Sequence, residues 1–174
     1  MVTVNPAMEA THKTSLCESA DQIVQKHHAY AKQNLPRLTA LAAKVHRRHA
    51  YMYPALHQLL ELVEAINSEM RVHILKQEQV LSPRLFAMGQ AVQHGTRLQP
   101  TFSGTLDDPA WHMIDDHDEI GTLLRSIRSL THNYKLSQDA CKHYQALYQG
   151  LTNFEEDFLC QVHLKKQHPL SASF

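Results

Sequence analysis

Three histidines fall where an imidazole has chemistry open to it. His28, His73 and His117 each interrupt an apolar stripe of heptad-like spacing, one on each of three predicted helices. A fourth stripe carries Gln161 and Lys165 at the corresponding place. Imidazoles converging from separate helices are the usual way a bundle core holds iron or a related metal. Carboxylates normally join them, bridging two ions and offsetting their charge. Paired ligands on one helix take i, i+4 spacing because those side chains share a face. Here the two such slots read His73/Gln77 and Gln161/Lys165. Glutamine keeps the shape of glutamate, but it is neutral and bridges metals poorly. Lysine, with an ordinary pKa of about 10, is a cation. Two like charges about 4 Å apart repel by roughly 4 kcal/mol at an effective dielectric of about 20. The residues therefore predict at most one weakly held ion at His28, His73 and His117, and not an ordinary dinuclear centre.

Glu69 lies one turn before His73, and Asp116 immediately precedes His117. Each is read in one of three ways: as completing a metal sphere, as pairing with Lys165, or as a half-exposed helix residue. His163, two residues past Gln161, points roughly 200° away on an ideal helix and reads as exposed unless the helix shifts register. With 14 histidines in 174 residues, abundance proves nothing and position must discriminate. His27, His46, His57, His94, His112, His132, His143 and His168 read as surface or loop residues. Glu78, Glu119, Glu155 and Glu156 read as solvated faces. No serine or cysteine shares a seam with a histidine, and no glycine-rich phosphate loop is present, so nucleophilic and nucleotide chemistry find no support.

The elements that must hold these residues are written in the stripes. The N-terminal helix carries Val24, His28, Ala31, Leu35, Leu38, Ala42, Val45 and His49, with Pro36 expected to kink or split it. The second, from about Pro54 to Val80, has Leu56, Leu59, Val63, Ile66, Met70, His73, Gln77 and Val80 spaced alternately by three and four. The third carries Met113, His117, Ile120, Leu124, Ile127, Thr131 and Tyr134. The fourth carries Tyr144, Leu147, Leu151, Phe154, Phe158, Gln161 and Lys165. A long crossing loop is expected over 89–110, and a short break near Lys135–Ser137 suits an antiparallel hairpin of the last two helices. The expected architecture is all-α, an antiparallel four-helix bundle over 16–170 preceded by an N-terminal tail over 1–15.

Composition closes other routes. Seventeen basic residues balance seventeen acidic ones, leaving no electrostatic footprint for nucleic acid or an anionic membrane. Cys17, Cys141 and Cys160 are odd in number and widely spaced, which reads as free thiols in a reducing compartment. No apolar run approaches the roughly 18 residues that span a bilayer, and the first residues lack the regions of a signal peptide. A soluble cytoplasmic protein is expected.

Several segments together resemble the hemerythrin-like di-iron proteins that repair iron–sulfur clusters damaged by nitric oxide or oxidants. Ile23–His49 holds I-V-Q-K-H-H, L-P-R-L and K-V-H-R-R-H, similar to that family's opening segment. His73–Pro83 resembles H-x-x-K-E-E-x-x-L-F-P, and Met113–Gly121 resembles M-x-x-E-H-D-x-x-G. The resemblance implies that His28, His73 and His117 match three iron-ligand histidines. It implies that Glu69 matches a carboxylate lining the path to the metals, with Asp116 replacing a glutamate in that role. The first bridging glutamate falls on Gln77. Aligned without gaps, the last helix places Gln161 at the fourth ligand histidine and Lys165 at the second bridging glutamate. A shifted register would offer His163/Gln167 instead, at the expense of the Phe154/Phe158 stripe. The short cysteine-containing N-terminal domain of many members has no counterpart in these residues.

For function, the resemblance implies iron supply or nitric oxide scavenging in the nitrosative and oxidative stress response, without turnover of an organic substrate. Expected partners are damaged iron–sulfur proteins, an intact relative, or a second copy in a homodimer. The competing expectation is a metal-free pseudo-hemerythrin with Lys165 as an internal cation, acting as a binding or regulatory protein. A third gives the histidine-lined cavity another ligand, such as haem.

Overall fold

The computed structural model describes the backbone of residues 6–83 and 109–167, with a few isolated positions between, and side chains chiefly over 25–79 and 116–162. Four α-helices carry the chain: α1 (Pro6–His49), α2 (Ala55–Lys76), α3 (Pro109–Leu130) and α4 (Lys142–Gln167). No strand occurs among the described residues. α1 packs against both α2 and α4, and α2 packs against α3. α3 and α4 close the ring through longer side chains: Arg128 reaches Glu155, and the His117 ring meets Phe158 edge-on at 5.9 Å between centroids. Each helix runs antiparallel to its neighbours, so one end of the bundle gathers His28, His73 and His117. The other gathers Tyr53, Tyr134, Tyr144 and Tyr148.

The apolar stripes form one core. Leu35, Leu38, Val45, Leu59, Val63, Ile66, Ile120, Leu124, Ile127, Leu147, Leu151 and Phe154 are all buried in it. Heptad spacing accounts for this, because it keeps one face of each helix turned to the bundle axis. Among side chains read as solvated, Glu155 is an exception. It is 5% exposed, and Arg128 grips it through Nε to Oε1 at 2.9 Å and a second nitrogen to Oε2 at 2.8 Å. Tyr134 donates to the same carboxylate at 2.6 Å. Position in the stripe could not reveal this, since Glu155 sits beside Phe154 and is drawn inward by two partners on another segment.

α1 is not split at Pro36; it is helical without a break from Pro6 to His49. Proline removes one backbone donor and crowds the preceding turn, at about 3 kcal/mol in a free helix. Burial of Leu35 and Leu38 on either side favours the continuous helix over a break. The helix also extends back through most of the segment read as a tail. The expected crossing loop over 89–110 lies almost entirely outside the described residues. The connection between α3 and α4 is longer than its sequence break suggests, covering 131–141. Near its start stand three successive left-handed residues, His132, Asn133 and Tyr134, at φ 49, 58 and 59. Such a run costs roughly 1–2 kcal/mol per residue. The Thr131 hydroxyl accepts from the Tyr134 N–H at 3.0 Å, and the Tyr134–Glu155 bond anchors the far side. Burial, followed by that carboxylate, raises the Tyr134 phenol above its ordinary range.

Gly150 marks the closest approach of α4 to α1. A Cβ there would stand 2.4 Å from Cδ2 of buried Leu38. Replacing Gly150 with leucine should destabilise the bundle by about 1–3 kcal/mol through overpacking. Adding Leu38→Ala should recover part of that loss, as read by urea unfolding. Independent, additive losses would mean that the two positions do not share the space.

Candidate metal centre

The site end of the bundle is a polar layer inside an apolar core. His28 and His73 are 2% and 0% exposed, with rings edge to face at 5.8 Å between centroids. His117, half-buried, brings its ring within 4.6 Å of His73. The structure thus gathers imidazoles from α1, α2 and α3. Gln77 and Gln161 are also buried, at 5% and 3%. Gln161 lies one turn beyond Phe158, whose ring touches His117. Its Nε2 is buried without a hydrogen-bond partner among the described residues. His163 and Lys165 lie on α4, but their side chains fall outside the described residues.

The α-helical ladder of α2 changes at this level. The Gln77 N–H still bonds back to the His73 carbonyl, but the Ser82 N–H bonds to Gln77, five residues earlier. Gln77–Leu81 is therefore a π-helical turn, in place of the regular α-helix expected as far as Val80. A π turn inserts one extra residue and rotates the residues beyond it about the helix axis. Glu78, in the first positions of this turn, is exposed as the sequence reading has it, and it also borders the site. Its Oε1 is 3.4 Å from His28 Nδ1, and Lys32 holds both its oxygens at 2.8 Å.

A parallel arrangement backs the second histidine. Asp116 Oδ2 stands 3.7 Å from His73 Nδ1, and Lys76 donates to the two Asp116 oxygens at 2.7 and 3.1 Å. So two histidines each face a carboxylate, and each carboxylate is held by a lysine from one turn along the histidine's own helix. The sequence carries the signal, since Lys32 lies four residues after His28 and Lys76 three after His73. Asp116 is thereby placed beside His73, with Lys76 as its partner. Glu69 is half-buried on α2, one turn before His73. His27, read as a surface residue, is largely buried and contacts Asp157 at 2.7 Å. At the far end His49 Nε2 lies 3.2 Å from Cys141 Sγ, a thiol–imidazole contact that the seam positions do not predict. Cys141 sits in the α3–α4 connection, where helical spacing gives no guidance.

Residues 19–165 match the hemerythrin HHE cation-binding domain family. The chain belongs to the hemerythrin family. Within that family it is similar to the probable iron–sulfur cluster repair protein of Haemophilus influenzae, 30% identical over 151 residues. That alignment covers 87% of this chain and 62% of the relative. The iron–sulfur cluster repair protein YtfE of Yersinia pseudotuberculosis is 29% identical over 143 residues, covering 82% and 59%. YtfE of Salmonella paratyphi B is 29% identical over 150 residues, covering 86% and 62%. The chain thus spans about three-fifths of the length of these relatives. The bundle architecture and the matched residues place it with the hemerythrin-like repair proteins.

Lys32 is the main cause holding the Glu78 carboxyl below its ordinary range, with His28 contributing less. A depressed carboxylate stabilises the fold above its unfolded pKa, and that stability is lost as pH falls through the folded value. Both partners are about half exposed, so the pair is worth only roughly 0–1 kcal/mol. Lys32→Met should move the Glu78 midpoint up toward the usual carboxylate range in an NMR titration. An unmoved midpoint would contradict the pairing.

Proposed function

We propose that this protein is a divergent member of the cluster-repair group, working in the nitrosative or oxidative stress response, whose centre no longer holds two irons. His28, His73 and His117 retain at most one weakly bound ion, with Asp116 or Glu69 supplying a carboxylate. The observation that carries this reading is the composition of the described buried layer, imidazoles and carboxamides, with Gln77 at one bridging slot and Lys165 aligned at the other in the gapless register. A pair of iron ions needs anionic bridges to offset charge at close range. Gln77 is neutral, and Lys165 adds a positive charge. The residues present therefore do not fit a dinuclear centre, and no step is assigned through one.

For the residues themselves the roles are concrete. Glu78 orients the His28 ring by facing its Nδ1, and where Glu69 is the carboxylate that completes the sphere Asp116 does the same for His73, leaving the opposite nitrogens for the cavity. Carboxylates behind ligand imidazoles commonly fix tautomer and basicity in this way. Lys32 and Lys76 keep those carboxylates in place and charged. The proposed setting is the cytoplasm; among the described residues no helix is long and apolar enough to cross a membrane. The proposed partners are damaged iron–sulfur proteins, an intact relative or a second copy. No organic substrate is turned over in this reading.

The metal-free alternative rests on the same charge change at Lys165, which would serve as an internal cation in a regulatory or binding protein. Reversion separates the two. The combined change Gln77→Glu, Gln161→His and Lys165→Glu should raise bound iron to about two per chain and bring an oxo-bridge absorption band. Iron content unchanged by the reversion would count against the loss of charge balance as the cause. Under the single-ion reading the parent chain retains some iron that His73→Ala removes, whereas under the metal-free reading it carries none.

A further inference from the structure

Away from the three-histidine layer, a second pair of imidazoles meets across two helices. His46, on the last turn of α1, places Nε2 2.7 Å from Nδ1 of His57, on the first turn of α2. Their rings are 4.4 Å apart between centroids and inclined at 76°. A neutral imidazole has one N–H and one lone pair. The contact is thus one N–H of one ring donated to the lone pair of the other, which brings two donor nitrogens side by side. A cation with nitrogen bonds of about 2.0–2.1 Å needs two adjacent imidazole donors roughly 3 Å apart. A small opening of the pair meets that requirement, with the displaced proton moving to the other nitrogen of its ring.

We propose that His46 and His57 form an interhelical clamp for a divalent transition-metal ion of the zinc, nickel or copper type. Glu61, four residues after His57 on the same exposed face, swings in with water to complete the sphere. No preformed group of three such donors occurs among the described residues, so the third donor joins on binding. His57 is exposed and His46 half-buried, which leaves the pair open to solvent.

The turn between the helices holds the two backbones that carry these rings at a set spacing before any ion arrives. Ala50 N–H bonds to the His46 carbonyl at 2.9 Å, Tyr53 N–H to His49 at 2.9 Å, and His57 N–H to Pro54 at 3.1 Å. Little backbone ordering is therefore left to be done on binding. The local field is compatible as well. Carbonyls at the C-terminus of α1 add partial negative charge. Arg47 and Arg48 line a separate groove with Lys44, Val45, Cys141 and His143.

Nickel ion added to the full chain carrying His73→Ala, which removes the three-histidine site and serves as the parent here, provides the test, read by the thermal unfolding midpoint. A ligand bound only by the folded state at about 100 times its Kd should raise that midpoint by roughly 5–10 °C. The rise should vanish in His46→Ala and in His57→Ala, shrink in Glu61→Gln, and persist in His143→Ala, a change at another exposed histidine. Copper electron paramagnetic resonance should show two nitrogen couplings in the parent chain and fewer in either alanine variant. A midpoint rise that survives His57→Ala, or no rise in the parent chain, would overturn the proposal.

Discussion

Everything at the working end of this bundle depends on polar rings being kept inside an apolar core. Burying a polar group costs several kcal/mol on transfer scales unless a partner compensates it. His28, His73, Gln77 and Gln161 are nevertheless all at least nine-tenths buried. The carboxylates of Glu78 and Asp116 sit against His28 and His73. The lysines that hold them are partly exposed, so each relay carries charge from the bundle surface toward its interior. The π-helical turn Gln77–Leu81 begins at this same level of α2 and includes Glu78.

The two ends of the bundle divide the labour. At the far end, Glu155 joins Arg128 on α3 to Tyr134 in the connection, and the Tyr144 and Tyr148 hydroxyls lie 3.1 Å apart. This anchors the strained left-handed turn and closes α3 against α4, where the helices otherwise meet least. At the site end the same two helices meet through His117 and Phe158.

Much of the fold is legible in the sequence because heptad spacing is a direct record of which face is buried. The stripes through His28, His73 and His117 identify three side chains that the structure brings together. Local geometry that breaks periodicity is not legible in the same way. A π turn leaves no mark in a stripe of apolar residues, so spacing alone gives the exposure of Glu78 but not the turn or the approach to His28. Glu155 reads as solvated because the inward pull by Arg128 and Tyr134 comes from residues far away in the chain. At Pro36 the split is not taken, since tertiary burial of Leu35 and Leu38 keeps the helix continuous against a local helix-breaking preference. His49 and Cys141 meet because the α3–α4 connection folds back onto the end of α1, and helical spacing does not describe a connection.

The proposal that this bundle keeps its histidines without the charge balance for two irons is read most directly in its metal content. Iron stoichiometry of the parent chain, measured by elemental analysis after expression in iron-rich medium, reads it without any substitution. The expected result is one iron or fewer per chain and no oxo-bridge band. A value near two per chain, accompanied by that band, would contradict the proposed loss.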